Sequence, residues 1–207
     1  MTKISLTQFL NYTAKVSTES KINYVRTIKS DPEYSPGKDY WKPLRDRLHK
    51  ILQNGDDINN LKDLLVSTPE KKLANYTKAV NQLIRFFSSH EIEYFDTGSA
   101  IISSPDDQIS VSAGPELGVK IDGQPYLLKI YYRKKDNTTK VTLKNIQSTL
   151  VAVHISKKNF VPPKDSKVAV LNLQNGKLVE QKGNPTTNDL FTLETDLDSF
   201  ASLWHRI

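Results

Sequence analysis

In the stretch ISLTQFLNYTAKV, apolar residues fall at positions 4, 6, 9, 10, 12 and 16. Steps of three and four predict an amphipathic helix over 4–16. Ile22, Tyr24, Val25 and Ile28 predict a second, short helix, with Thr18 or Ser20 as its cap. The segment SDPEYSPGKD breaks the pattern with two prolines and a glycine. YWKPLRDRLHKILQNG restarts it: Leu44, Leu48, Ile51 and Leu52 form one stripe, and Asn54-Gly55 supplies the stop. DINNLKDLLVS predicts a further helix. TPEKKLANYTKAVNQLIRFFSSH carries the clearest pattern, with Thr68 as N-cap and Pro69 in the first turn. Its expected buried face is Leu73, Tyr76, Val80, Leu83, Ile84 and Phe87.

After His90 the period changes from helix to strand. AIISSPDDQISVSAG reads as two short strands around Pro-Asp-Asp, and ELGVKID with PYLLKIYYRK as a hairpin over Asp-Gly. KVTLKNIQSTLVAVHIS has helical spacing through Val141, Ile146, Leu150 and Val153. KVAVLNL and GKLVEQ pair across Asn175-Gly176. TDLDSFASLWHRI predicts a terminal helix capped by Thr195 or Asp196. The resulting fold class is α+β: a helical N-terminal third packed on a mixed or antiparallel sheet with flanking helices. The division expected is a helical region over 1–67 and an α/β core over 68–207, together one compact unit.

The hairpin holds the candidate chemistry. Side chains alternate between the faces of a strand, so Leu117, Val119 and Ile121 oppose Glu116, Gly118 and Lys120. On the second strand Leu128, Ile130 and Tyr132 oppose Leu127, Lys129 and Tyr131. A two-residue Asp-Gly turn sets Glu116 opposite Lys129; a Gly-Gln turn sets it on the diagonal. A three-residue loop separates the two. The plain structural reading is a cross-strand ion pair at a sheet edge. If that pair is exposed, Glu116→Ala costs about 0–1 kcal/mol.

Composition changes the picture in two places. The net charge is +6, and residues 120–164 hold ten Lys/Arg against two acids, so the excess is local. Local cationic fields attract phosphate, which makes DNA or RNA the expected partner and a solvated lysine-rich surface the alternative. The candidate nucleic-acid contacts are Lys42, Arg45, Lys120, Arg133, Lys134, Lys135, Lys140 and Lys144. In YWKPLR, Lys42 and Arg45 could clamp a phosphate while an aromatic stacks on a base; otherwise Trp41 packs in the core and Pro43 opens the helix. YYRKK, with Tyr131 and Tyr132 beside three cations, suits single strands or a guarded strand edge. The chain has no cysteine, which excludes disulfides and thiolate chemistry. It has no secretory-type start and no apolar run of the roughly 18 residues that a membrane span needs, so the expected location is the cytoplasm, with no membrane partner. The four histidines lack zinc-site spacing, and no Gly-rich phosphate loop or G-x-S-x-G occurs.

The order helix, three-strand meander, helix, strand over roughly 70–175 resembles the PD-(D/E)XK nuclease-like, or restriction-endonuclease-like, core. That resemblance implies an acid on the second strand, an acid-x-lysine on the third, and a divalent metal activating water for phosphodiester cleavage. Glu116 of PEL and Lys129 of LLK match, which implies catalytic roles for both. Mg²⁺ or Mn²⁺ enters only under this reading, with Glu116 and Asp122 as ligands. Leu127 stands where the second acid belongs, and Asp122, Asp106 or Asp107 would have to replace it. The resemblance therefore implies an inactive or divergent member more readily than a working nuclease. W-K-P-L-R and P-E-L-G are also similar to elements shared by a group of uncharacterised bacterial proteins, a likeness that implies a common fold over most of the chain. Three functions follow: a nucleic-acid-associated protein on a nuclease-like core, a metal-dependent nuclease using Glu116 and Lys129, or a non-enzymatic protein–protein module.

Overall fold

The computed structural model describes residues 1–30, 39–132 and 141–207. The fold is α+β. Its larger sheet has five strands in the order β2(Ile92–Phe95), β5(Leu117–Ile121), β6(Gln124–Tyr131), β8(Lys167–Asn172) and β9(Lys177–Glu180). The first three form an antiparallel meander, β8 runs parallel to β6, and β9 returns antiparallel. A smaller sheet joins β1(Thr2–Ser5), β4(Ile109–Ser112), β3(Ala100–Ser103) and β7(Lys157–Lys158).

Helices cover both faces of the five-stranded sheet. Alternation sends Leu117, Val119, Ile121, Leu128 and Ile130 to one face, where α3(Lys42–Asn54) and α5(Glu70–Ser88) contribute Leu44, Leu48, Ile51, Tyr76, Val80 and Leu83. The opposite face carries Leu127, Tyr131, Val168 and Val170. These pack on α1(Leu6–Thr13), α6(Leu143–Ile155) and α7(Thr187–Arg206). Burying both faces explains why β8 reads VAVL rather than alternating. The remaining helices are α2(Thr18–Ser30) and the single turn α4(Asp63–Val66), entered from a 3-10 turn over Ile58–Lys62.

Several sequence expectations shift. The helix expected over 4–16 starts only at Leu6, because Thr2–Ser5 pair in parallel with β4. Ser5 caps it, with Gln8 closing the capping box. The terminal helix begins at Thr187, not near residue 195, because Thr186 and Asp189 form its capping box. Asp196 sits mid-helix and accepts from Ser148 Oγ at 2.6 Å and Lys21 Nζ at 3.3 Å. Thr68 does not cap α5; its hydroxyl donates back to the Leu64 carbonyl. Leu73 is 38% exposed rather than on the buried face. The strands over 100–112 belong to the smaller sheet, and the meander takes its first strand from Ile92–Phe95. Residues 4–25 fill one core with α6 and α7, and residues 44–61 fill the other with α5 and the meander.

Among the described residues, no helix is long and apolar enough to cross a membrane.

Candidate functional site: a buried charge network on the meander

The β5–β6 connection is a two-residue turn. Asp122 and Gly123 take φ of 50° and 82°, and Ile121 pairs with Gln124. Positive φ at both turn positions favours Asp-Gly and matches the twist of the strands. The ladder then runs to Leu117 opposite Leu128, and one step further places Glu116 opposite Lys129. Lys129 Nζ donates to Glu116 Oε2. Tyr132 donates to Oε1 at 2.7 Å, and Arg45 Nε lies 3.9 Å from the same oxygen.

This pair is not at a sheet edge. β6 is the middle strand of five, Lys129 is 7% exposed and the Glu116 side chain 13%. The edge reading, and the small cost expected from it, therefore give way to a buried ion pair. Arg45 extends the network: its guanidinium donates to Asp39 Oδ2 at 2.6 Å and Oδ1 at 3.3 Å. Among the described residues two acids, Asp39 and Glu116, thus meet two bases, Arg45 and Lys129. Desolvation works against the Arg45 charge, but the hydrogen bond to Asp39 and the nearby Glu116 carboxylate hold its pKa above the ordinary value. Burial first, then the Glu116 charge, push the Tyr132 hydroxyl well above the usual tyrosine range, so it is a donor at any physiological pH.

An aromatic cluster braces the network. Trp41, just ahead of α3, stacks on Tyr76 at 5.2 Å and on Tyr132 at 5.3 Å between ring centroids. Tyr40 meets Trp41 edge-on at 4.8 Å, and its carbonyl accepts from the Tyr76 hydroxyl. Stacking on two tyrosines commits Trp41 to internal packing and removes it as a platform for a base. A small pocket of about 170 Å³ opens beside Glu116, lined also by Arg45, Asp46 and His49 of α3. His49 Nε2 lies 3.2 Å from the Tyr94 hydroxyl, which donates to Asp96 at 2.9 Å.

The proposed metal set does not form. Asp122 follows β5 whereas Glu116 precedes it, so the five-residue strand, roughly 17 Å long, lies between them. Asp122 is instead held by His90 Nδ1 at 2.7 Å and the Glu91 amide at 2.9 Å. Asp106 is bound to Ser104 in the β3–β4 turn. Leu127, at the missing acid's position, is buried in the core. Among the described residues no three His, Asp or Glu side chains come together as metal ligands. The residues present do not fit Mg²⁺ or Mn²⁺, which need several hard oxygen ligands.

Of the candidate nucleic-acid contacts, Lys42, Arg45, Lys120 and Lys144 are among the described residues. Lys42 pairs with Asp46, and Arg45 is half-buried in the network. Lys120 pairs with Glu93 at 2.6 Å near the turn end of the hairpin. Lys144 is exposed on the first turn of α6. Arg133, Lys134, Lys135 and Lys140 lie outside the described residues. Elsewhere in segment 120–164, Lys158 is used internally, donating to the His154 and Ser156 carbonyls. Lys157 and Lys164 are exposed.

Sequence reasoning found Glu116, Lys129 and Arg45 but missed that they form one network through Asp39 and Tyr132. Arg45 of W-K-P-L-R and Glu116 of P-E-L-G are where the two segments meet, 3.9 Å apart. No family model, curated protein or solved structure matches this chain.

Proposed function

We propose that this protein is a nucleic-acid-associated protein without hydrolytic activity, built on a nuclease-like core whose former reaction centre is a structural clamp. The observation that carries this reading is the Glu116 carboxylate. It sits at the resembling position, just ahead of the second strand of the meander, yet it is engaged by Lys129 and Tyr132 and has no acid at 127 beside it. The order α5, β2–β5–β6, α6, parallel β8 supports the same reading. Exposed Lys144, Lys157 and Lys164 make no ion pair among the described residues and supply cations for phosphate.

The test is fluorescence anisotropy with labelled single-stranded DNA, duplex DNA and RNA over a salt series, alongside cleavage assays in Mg²⁺ and Mn²⁺. Three phosphate contacts predict an affinity loss of roughly 40-fold between 50 and 200 mM salt, with no cleavage. Cleavage by the wild type that is lost in a folded Lys129→Ala variant would install the nuclease reading instead. Absence of salt-sensitive binding would leave the protein–protein module.

A further inference from the structure

The smaller sheet has one covered face and one open face. Alternation sends Ile4 of β1, Ile102 of β3 and Ile109 and Val111 of β4 to the side that packs on α1, α6 and α7. The same register aligns two rows on the other side: Lys3–Ser110–Ser103 and Ser5–Ser112–Ile101–Lys157. Lys3, Ser5, Ile101 and Lys157 are exposed, Ser103 and Ser112 partly so, and Ser110 is closed off in mid-sheet. Lys158, one residue beyond Lys157, turns to the covered side and donates to the His154 and Ser156 carbonyls.

The chemistry of the open side has one sign. The strands TKIS, AIIS, ISVS and KK contain no Asp, no Glu and no aromatic residue. Lys3 and Lys157 make no ion pair among the described residues. Asp106 and Asp107 lie past the strand ends in the β3–β4 turn, where Asp106 accepts from Ser104 Oγ at 2.7 Å. Ser5 Oγ accepts from the Gln8 amide, which leaves its own proton for an outside acceptor. Ser103 Oγ meets the Met1 sulfur at 3.8 Å, a weak acceptor that a phosphate oxygen outcompetes.

Cations and hydroxyl donors without an acid have a polyanion as their complement, and lysine and serine are regular partners of phosphate oxygens. Lys3 and Lys157 stand three strand spacings and two residues apart, roughly 16 Å, too far to share one phosphate. The lack of an aromatic ring removes base stacking, by which single strands are held. Donors at fixed spacing on a sheet suit a partner whose phosphates are also fixed, and that partner is a duplex.

We propose that this open face docks the sugar–phosphate backbone of a nucleic-acid duplex, with Lys3 and Lys157 on separate phosphates and Ser5, Ser103 and Ser112 donating between them. This surface rests on the nucleic-acid reading and gives it a place and a partner. Fluorescence anisotropy of the full chain over a salt series, with duplex DNA of two unrelated sequences and with oligo(dT), tests it. The two duplexes should bind alike and more tightly than oligo(dT). Lys3→Ala/Lys157→Ala should weaken both duplexes equally and flatten the slope of log affinity against log salt by about 1.8, with the melting temperature unchanged. Ser112→Asp sets a carboxylate between the two lysines and should weaken both duplexes about tenfold at low salt. Absent or salt-insensitive binding by the wild type would overturn the nucleic-acid reading and this surface together. Salt-sensitive binding whose slope is unaltered in the folded double variant would overturn the surface alone. Tighter binding of oligo(dT), or unequal affinity for the two duplex sequences, would overturn the duplex backbone as its partner.

Discussion

A carboxylate that accepts from a lysine and a tyrosine inside a sheet is costly to strip. Removing Glu116 alone leaves the Lys129 amine, 7% exposed, without that carboxylate, and also deprives Tyr132 of its acceptor. Breaking a buried pair from one side costs about 3–5 kcal/mol, whereas replacing both partners by apolar groups can be near neutral. Glu116→Ala and Lys129→Met are therefore each expected to lower stability by several kcal/mol, and Glu116→Leu/Lys129→Met by much less than the sum. Urea unfolding of the single and double variants measures the coupling. A loss below 1 kcal/mol for Glu116→Ala would mean that the pair is solvated. This pairing was legible because turn chemistry and alternation are local. Its burial was not, because that depends on β8 arriving beside β6 from about forty residues downstream.

The β2–β5–β6 meander depends on a close approach at one glycine. Gly118 stands opposite Phe95, and a Cβ there would lie 2.5 Å from both the Phe95 ring and its carbonyl oxygen. The ring lies across the bare backbone, so Gly118→Ala must push β2 away. The expected cost is about 1–3 kcal/mol, the range for overpacking, with faster amide exchange confined first to Ile92–Phe95. An unchanged melting temperature would contradict the packing. Elements with strong local signals were readable: the Asn54-Gly55 stop, the Asp122-Gly123 hairpin and the Asn175-Gly176 return all form as the residues suggest. β1 and β2 were not. Each has four residues, and each exists because of a partner elsewhere, β4 for the first and β5 for the second.

At the scale of the molecule, the helical N-terminal third is part of both cores. Phe9, Leu10 and Tyr12 are fully buried beside α6 and α7, and Leu44, Leu48 and Ile51 beneath the meander. A fragment of residues 68–207 would expose both apolar faces, so it is expected to lose cooperative melting and near-ultraviolet ellipticity and to bind hydrophobic dyes. A fragment that melts in one sharp transition would show the 1–67 segment to be dispensable. The α+β class was readable from the switch in period after His90. The interleaving of the two halves was not, because it rests on contacts between positions more than a hundred residues apart, such as Thr13 with Thr149 and Tyr12 with Ser199.

The clamp between α3 and the hairpin has a consequence for how such sequences can diverge. Positions 39, 45, 116 and 129 hold two positive and two negative side chains whose sum is zero, two of them deep in the sheet. Drift at Glu116 or Lys129 strands the other inside the sheet, so viable lineages should change these two in matched steps, or exchange both for apolar residues at once.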